Sequence, residues 1–361
     1  MAIQINGTTV IDNSRNLQNV QGIKTVGGQS ILGSGNIDAG VGFTLSYTNP
    51  IIPTMLPMIN YDADRDEMYC MGRGERYVWR TSDGLNWAKV NNTDNLINGG
   101  YVIYGVADNG SGTYVAHVAE NKFYYSTNGM STWGSTNYPG SNFTYYSPYG
   151  GQKKQIIWNG SAFVFGGYNT NFNGPYFAYS TNGTSWSQGS NNLDGSSQGN
   201  NVPNIAGTNG VTFTWDTQRG NTHLAVSTNH SQSWTSSAVA NLSTSTQMGW
   251  PMDAAYSPTL NRIVVVTDQG KVISTGSNGS SPTLSLEGPS SGNGTTNVLW
   301  TSTGKFRVGS AYGIFESSTG LAGSWTGSGR YQSTGDNCGA VEFDGIVYEG
   351  GAYMTPTLSK V

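Results

Sequence analysis

The stretch Tyr179-Ser180-Thr181-Asn182-Gly183-Thr184-Ser185-Trp186 carries the plainest folding signal in the chain. It predicts a strand end, an Asn-Gly turn and a tryptophan on the returning strand, because type I′ turns need positive φ at both central residues. Similar phrases begin at residues 81, 126, 180, 227, 274 and 317. A hairpin that recurs about every 43 to 54 residues is typical of a propeller or another repeat array.

Five of the six signature phrases lead to a tryptophan, and the phrase at Ser274 has none. We interpret these tryptophans as structural packing residues between sheets rather than as sugar platforms. They are Trp87, Trp133, Trp186, Trp234 and Trp325.

A second turn in each repeat precedes a short β-rich strand. Seven such strands can be counted, at 67–71, 113–116, 162–165, 211–214, 262–266, 305–308 and 346–348. The last repeat lacks the signature phrase, and Phe43–Tyr47 reads as a strand without a partner. We therefore predict an all-β, seven-bladed β-propeller over residues 42–361, with residues 42–49 completing the last blade and closing the ring.

Residues 1–41 differ from the rest of the chain, because no Trp, Tyr or Phe occurs among them. Short alternating apolar pieces separated by Gly and Asn predict brief strands. So few apolar residues cannot form a core alone, so we expect copies of the same segment from other subunits to cover them.

Two phrases in this segment, residues 5–17 and 24–37, resemble the N-terminal region of bacteriophage tail-fibre and related virion proteins. The resemblance implies a fibre-like arm over residues 1–41 that attaches to other virion tail proteins and trimerises. It also implies a homotrimer located in the virion tail, whose propeller head serves host adsorption.

The signature phrase resembles the Asp-box of sialidase-like propellers, Ser-x-Asp-x-Gly-x-x-Trp. The match is partial, because Asn128, Asn182 and Asn229 replace the aspartate that Asp83 keeps. The glycine also follows immediately in three copies rather than one residue later. The resemblance implies an outer turn that stabilises each blade, away from the central pocket.

The bulk composition excludes several classes of function. The net charge of −4 supplies no basic stripe, so no nucleic-acid partner is expected. No apolar run is long enough to span a membrane, and no secretory signal is visible, so we expect synthesis in the host cytoplasm and no membrane insertion. Cys70 and Cys338 do not imply a disulfide framework.

No catalytic or metal-binding constellation stands out. Sialidase chemistry needs converging arginines, whereas Arg65, Arg73, Arg76 and Arg80 fall within one repeat. The histidines show no metal spacing, and the acidic run that starts at Asp62 lacks the glycine and distant glutamate of a calcium loop. We predict no cofactor, no metal and no enzyme, although the sparse acidic residues neither choose nor exclude a glycosidase pair.

The candidate binding face consists of the loops opposite the signature turns, above all two long loops of the third repeat. Tyrosine with Asn, Ser and Gly is also typical of antibody loops, and aromatic rings stack on sugars. The candidate glycan-binding residues are Tyr138, Phe143, Tyr145, Tyr146, Tyr149, Tyr168, Phe172, Tyr176, Arg219, Trp250 and Tyr331.

The favoured interpretation is a phage receptor-binding protein whose propeller binds a host cell-surface polysaccharide or another receptor. Three weak heads in a trimer would gain avidity. Two alternatives stay open: a glycan-degrading fibre head, and a structural virion protein that decorates the capsid or baseplate.

Overall fold

Six sheets of antiparallel strands form the blades of a β-propeller in the computed structural model. The structure describes residues 3–5, 8–11, 58–62, 64–71, 78–82, 87–90, 103–118, 122–140, 143–144, 155–169, 174–193, 196–197, 204–217, 219–244, 246–287, 295–310, 313–328, 337–343 and 346–351. Within these ranges no helix is long and apolar enough to cross a membrane.

The first part of the chain forms an N-terminal hairpin and three blades. The hairpin consists of β1 (Ile3–Ile5) and β2 (Thr8–Ile11). The first blade consists of β3 (Met58–Asp62), β4 (Glu67–Met71), β5 (Val78–Thr81) and β6 (Ala88–Lys89). The second consists of β7 (Ile103–Asp108), β8 (Tyr114–Val118), β9 (Lys122–Ser126) and β10 (Gly134–Asn137). The third consists of β11 (Phe143–Thr144), β12 (Ile156–Trp158), β13 (Phe163–Asn169), β14 (Gly174–Ser180) and β15 (Ser187–Gln188).

A small hairpin and three further blades follow. The hairpin consists of β16 (Asn192–Leu193) and β17 (Ser196–Ser197). The fourth blade consists of β18 (Ala206–Thr208), β19 (Val211–Trp215), β20 (His223–Ser227) and β21 (Thr235–Ala238). The fifth consists of β22 (Pro251–Ser257), β23 (Arg262–Thr267), β24 (Lys271–Gly276) and β25 (Thr283–Glu287). The sixth consists of β26 (Thr295–Trp300), β27 (Phe306–Ser310), β28 (Gly313–Ser317) and β29 (Thr326–Ser328).

The prediction of seven blades is wrong, because the structure has six. Within the described residues, the last repeat contributes a two-stranded antiparallel hairpin, β30 (Asn337–Phe343) and β31 (Ile346–Gly351). Strand β30 packs against β26 of the sixth blade and β3 of the first. The predicted closing strand, Phe43–Tyr47, lies outside the described residues.

The core lies between neighbouring blades, and the second strand of each blade shows why. In β23, Ile263 and Val265 pack in the cluster shared with the fourth blade, whereas Val264 and Val266 pack in the cluster shared with the sixth. Successive side chains of a strand point to opposite faces, so both faces of this strand are buried. A continuous apolar run is therefore required here, as the sequence has.

Antiparallel order gives each blade two different ends. The turn between its first and second strands and the turn between its third and fourth lie on one side, which we call the turn face. The connections between the second and third strands and between successive blades lie on the other side, the loop face. On the turn face, neighbouring blades join directly: Gly210 N–H donates to Asn159 O at 2.6 Å, and Asn209 Nδ2 donates to Ser277 O at 3.2 Å.

One link also joins the outer strands of two blades. Ala240, just after the fourth blade, forms an isolated parallel bridge with Thr283 at the start of β25. Ala240 N–H donates to Pro282 O, and Leu284 N–H donates to Ala240 O, both at 2.9 Å. The outer edge of the fifth blade is therefore partly covered by its neighbour.

Candidate functional site

The third blade extends further toward the loop face than a four-stranded blade needs. Its central strands β13 and β14 are seven residues long and pair from Phe163–Ser180 up to Asn169–Gly174. At this upper end, Phe143 and Thr144 pair with Asn169 and Tyr168, whereas β12 pairs with the lower end of β13. The sheet thus carries a raised hairpin. The prediction of a long loop over residues 167–176 is wrong in part, because residues 167–169 and 174–176 are paired in strands β13 and β14.

Buried rings anchor that raised hairpin. Tyr138 is 6% exposed and stacks on Phe165, with ring centroids 5.4 Å apart, and it meets the edge of Phe123 at 4.4 Å. Tyr176 is 1% exposed and its hydroxyl donates to Pro139 O, which ties the hairpin to the loop that precedes it. Burial raises the pKa of Tyr176, so it stays a neutral hydrogen-bond donor.

The predicted loop-face residues thus fall into three groups. Tyr138, Tyr168 and Tyr176 lie together in the base, where rings pack against protein. Phe143 is placed at the strand edge by its backbone pairing. The remaining third-repeat candidates and the sixth-repeat candidate lie outside the described residues, and their role stays a prediction: Tyr145, Tyr146, Tyr149, Phe172 and Tyr331.

Trp250 and Arg219 belong to loops of other blades on the same face. Trp250 is buried, and its ring lies edge-on to that of Trp215, with centroids 5.3 Å apart. The backbone N–H of Trp250 donates to Asp268 Oδ1 at 2.8 Å. Arg219 is exposed, and its backbone N–H donates to Asp216 Oδ1 at 3.2 Å. Of these two residues, only Arg219 presents a side chain to solvent.

The signature turns on the turn face share one pattern of hydrogen bonds. In the third blade, Ser180 Oγ accepts from Gly183 N–H at 2.8 Å, and Asn182 Oδ1 accepts from Ser185 N–H at 2.9 Å. Ser126 with Asn128, and Ser227 with Asn229, accept in a similar way, but from backbone N–H groups four residues on instead of three. Short polar side chains thereby satisfy turn amides that a strand partner cannot reach.

The fifth copy of the phrase differs from the others. Gly279 has φ +80° and packs on Val226 of the preceding blade, so it matches Gly183, which packs on Val115 of its preceding blade. The copy that the sequence places at Ser274 therefore starts two residues later, at Gly276. This turn closes through backbone bonds, with Gly276 N–H donating to Ser280 O and Gly279 N–H donating to Gly276 O, both at 2.9 Å.

The signature tryptophans lie between blades. Trp186 stacks on Phe123 of the second blade, and Trp234 meets Phe177 of the third at 4.6 Å. Trp325 Nε1 donates to Ser285 Oγ of the fifth blade at 2.7 Å, and Trp133 packs on the cluster that holds Tyr69 and Val78 of the first. Trp87 is also buried, with 7% of its surface exposed.

A buried ionic network joins the first and second blades, and sequence reasoning missed it. Arg80 donates to Asp62 Oδ2 at 2.9 Å, to Glu67 Oε2 at 2.7 Å and to the Tyr114 hydroxyl at 2.9 Å. The Tyr114 hydroxyl donates in turn to Asp62. Beside it, Tyr69 donates to Asp108 Oδ2 at 2.5 Å. Apart from Glu67 and Asp108, these side chains are buried.

The pKa shifts in this network follow from burial and neighbouring charge. Burial lowers the pKa of Arg80, but the hydrogen bonds with Tyr114 and Glu67 and the charge of Asp62 outweigh it, so the net shift is upward. Burial, and then the hydrogen bond to Asp62, raises the pKa of Tyr114. Burial also raises the pKa of Asp108, against the hydrogen bond from Tyr69. Arg80 stays charged and holds the two blades together.

This network explains the acidic run at Asp62. Asp62 faces inward to Arg80, whereas Asp66 accepts from the exposed Tyr61 hydroxyl at 2.8 Å. The carboxylates thus serve different partners instead of converging. Across the described ranges, no group of three or more His, Cys, Asp or Glu side chains is placed to hold a metal ion.

A surface pocket of about 200 Å³ lies on the turn face between the fifth and sixth blades. Arg262, Ser274 and Thr283 of the fifth blade line it, and the turn residues Leu321 and Ala322 of the sixth complete it. The sequence placed Arg262 in a strand but did not single it out. The register of β23 puts it beside the next blade, since Val264, two residues on, packs there.

Comparison with known proteins supports the fold alone. No protein-family model and no curated protein matches the chain. Among solved structures, YCF48 from Cyanidioschyzon merolae is similar, with TM-score 0.55 and 14% identity over 87% of this chain and 97% of that one. Virginiamycin B lyase from Staphylococcus aureus has TM-score 0.58 and 12% identity over 85% of this chain and 95% of that one. These similarities show that the chain is a β-propeller.

Proposed function

We propose that this protein is a bacteriophage tail-fibre receptor-binding protein whose propeller head binds a polysaccharide on the host surface. The observation that carries the proposal is the raised hairpin of the third blade, where β13 and β14 run on to Asn169 and Gly174. Its buried base leads along the chain into residues 145–154 and 170–173, where the sequence is rich in Tyr, Phe and Asn. Such loops place rings for sugar stacking at low entropic cost.

The other parts of the proposal rest on sequence resemblance. Residues 5–17 and 24–37 support an arm that joins the virion tail and trimerises, and the β1–β2 hairpin within that arm has strand edges on which copies can pair. The Ser and Asn hydrogen bonds of the signature turns support their assignment to the Asp-box class. Three heads on one fibre would turn a weak glycan site into firm adsorption.

The test is adsorption of the purified full chain to bacterial cells and to their isolated surface polysaccharides. Two loop variants, Tyr145→Ala with Tyr146→Ala, and Phe172→Ala, are expected to lower retention by about tenfold or more, since each stacked ring contributes about 1 kcal/mol and trimerisation multiplies the loss. The matched control is Tyr61→Ala, which removes an exposed ring from the turn face. Equal losses in control and loop variants would contradict a loop-face site.

Two further readouts separate the alternatives. If the protein releases oligosaccharides from the polysaccharide, it is a glycan-degrading head and not a simple binding protein. If immunogold labels the capsid shell, it is a decoration protein and not a tail fibre. Light scattering of the full chain and of a chain that begins at Gly42 tests the arm. If both chains give the same number of subunits per particle, residues 1–41 are not what makes the protein trimerise.

A further inference from the structure

The pocket between the fifth and sixth blades contains a cation that has no counter-ion among the described residues. Arg262 is half-buried and spends one guanidinium nitrogen on Thr319 O of the sixth blade. It forms no salt bridge with any described residue. The arginines buried elsewhere between blades are neutralised: Arg80 pairs with Asp62, and Arg307 pairs with Glu316 at 3.1 Å.

The position of Arg262 is unusual within the repeat. The corresponding residues of the second and fourth blades, Thr113 and Val211, lie against the turn glycine of the next blade, Gly183 and Gly279. A long charged side chain replaces a small contact there, and its remaining donors line the pocket. Five N–H donors in a fixed fork suit a carboxylate better than they suit a single backbone oxygen.

The hydroxyl groups of the pocket differ in what they have left to offer. Ser285 is committed, because it donates to Gly320 O at 2.6 Å and accepts from Trp325 Nε1 at 2.7 Å. Ser274 is 5% exposed and lines the same pocket, and its hydroxyl has no hydrogen-bond partner among the described residues. A buried hydroxyl of this kind gains from a ligand that brings hydroxyls of its own.

An apolar wall completes the pocket. Leu321 is 45% exposed, one of two large hydrophobic residues found on the described surface, and it lines the rim. The volume, about 200 Å³, is below the roughly 300–1,000 Å³ of drug-sized sites and suits one small ring. A cation, a free hydroxyl and an apolar rim together match a sugar that has an acidic group and an apolar face.

We infer that this pocket binds a carboxylated monosaccharide unit, such as a uronate, through the guanidinium of Arg262 and the hydroxyl of Ser274. The site lies on the turn face, away from the third-blade loops, and it does not depend on the tail-fibre role. The ring of the sugar packs on Leu321, and its carboxylate faces Arg262.

The test is calorimetric or NMR titration of the full chain with glucuronate. The comparison ligands are glucose, glucose 6-phosphate, inorganic phosphate and acetate. Glucuronate is expected to bind at least about tenfold more tightly than glucose or acetate, because only glucuronate brings both the charge and the ring. Equal affinity for glucose would overturn the role of charge. Tighter binding of glucose 6-phosphate or inorganic phosphate would overturn the carboxylate in favour of phosphate.

Variants locate the site. Arg262→Gln is expected to weaken glucuronate binding by about tenfold or more, whereas Arg65→Gln, which removes an exposed arginine of the first blade, leaves it unchanged. Unchanged binding in Arg262→Gln would overturn the proposal. If Arg262→Gln lowers Tm so far that it does not fold, Leu321→Glu decides, because its exposed side chain tolerates charge. Leu321→Glu is expected to repel glucuronate but not glucose, and equal effects on both would overturn the proposal.

Discussion

Trp186 of the third blade lies on Phe123 of the second, with ring centroids 3.9 Å apart and ring planes inclined by 22°. The tryptophan Nε1 also donates to Gly183 O at 3.0 Å within its own turn. One side chain thus closes a local turn and binds the neighbouring blade, so the repeat phrase stabilises both hairpin and ring.

Replacing this tryptophan is expected to destabilise the protein strongly. Trp186→Ala removes a half-buried stacked ring, and we expect a loss of about 2–4 kcal/mol in the free energy of unfolding, measured by urea denaturation. Trp186→Phe keeps the stack and loses only the indole donor, so its cost is expected to be smaller. If both variants cost the same, the stack is not the source of the stability.

Ser180 is expected to matter through its hydroxyl alone. Ser180→Ala leaves the buried Gly183 N–H without its acceptor, which predicts a loss of about 1–2 kcal/mol in the free energy of unfolding. The matched control is Ser185→Ala in the same turn, where the backbone N–H makes the bond to Asn182. The control is expected to stay close to the parent protein, and a similar loss at both positions would count against the hydroxyl's role.

His117 is expected to make the protein sensitive to mild acid. Burial lowers its pKa from 6.5 to about 3 in the folded state. Between these values the unfolded chain takes up a proton that the folded chain excludes. Stability is therefore complete above pH 6.5 and falls as the pH drops toward 3.

Because of His117, we expect the free energy of unfolding to be about 2 kcal/mol lower at pH 5 than at pH 7. His117→Leu fits beside Phe165, whose ring centroid is 4.8 Å from that of the imidazole, and it carries no proton. Urea denaturation at several pH values is expected to give a flatter profile for the variant. Parallel profiles would show that His117 is not the group that titrates.

Arg80 is expected to be needed because its carboxylate partner is buried. Arg80→Met leaves Asp62, which is fully buried, without its cation, and we expect a loss of about 3–5 kcal/mol in the free energy of unfolding. Adding Asp62→Asn to that variant is expected to recover part of the loss. Arg219→Met, at an exposed arginine, serves as the control, and no recovery in the double variant would remove the charge argument.

Local signals in the sequence were enough for the repeat. The apolar strand near Phe163 is set by neighbours in the chain and forms as predicted. A turn also forms at Asn182-Gly183, but the predicted type I′ geometry is wrong, because only Gly183 has positive φ. The propeller architecture follows from their recurrence. The number of blades does not, because the last repeat has a second strand, Ile346–Gly351, like the others, but forms a two-stranded sheet in the described part of the chain.

Contacts between residues far apart in the chain could not be predicted from local sequence patterns. Arg80 meets Tyr114 across 34 residues, and nothing near either residue in the chain announces the contact. Tyr138 lies in a loop, as predicted, whereas Tyr176 was predicted in a loop and lies in strand β14. Both rings are buried in the base of the raised hairpin. Their predicted contact with a glycan stays a prediction.

The bridge between Ala240 and Thr283 affects how prone the protein is to aggregate at high concentration. An open strand edge invites pairing with a foreign strand, which is a common route to aggregation. The first residues of the fifth blade's outer strand already spend their hydrogen bonds on the fourth blade. Where many copies of the protein stand close together, the first residues of this edge are therefore closed to pairing with another chain.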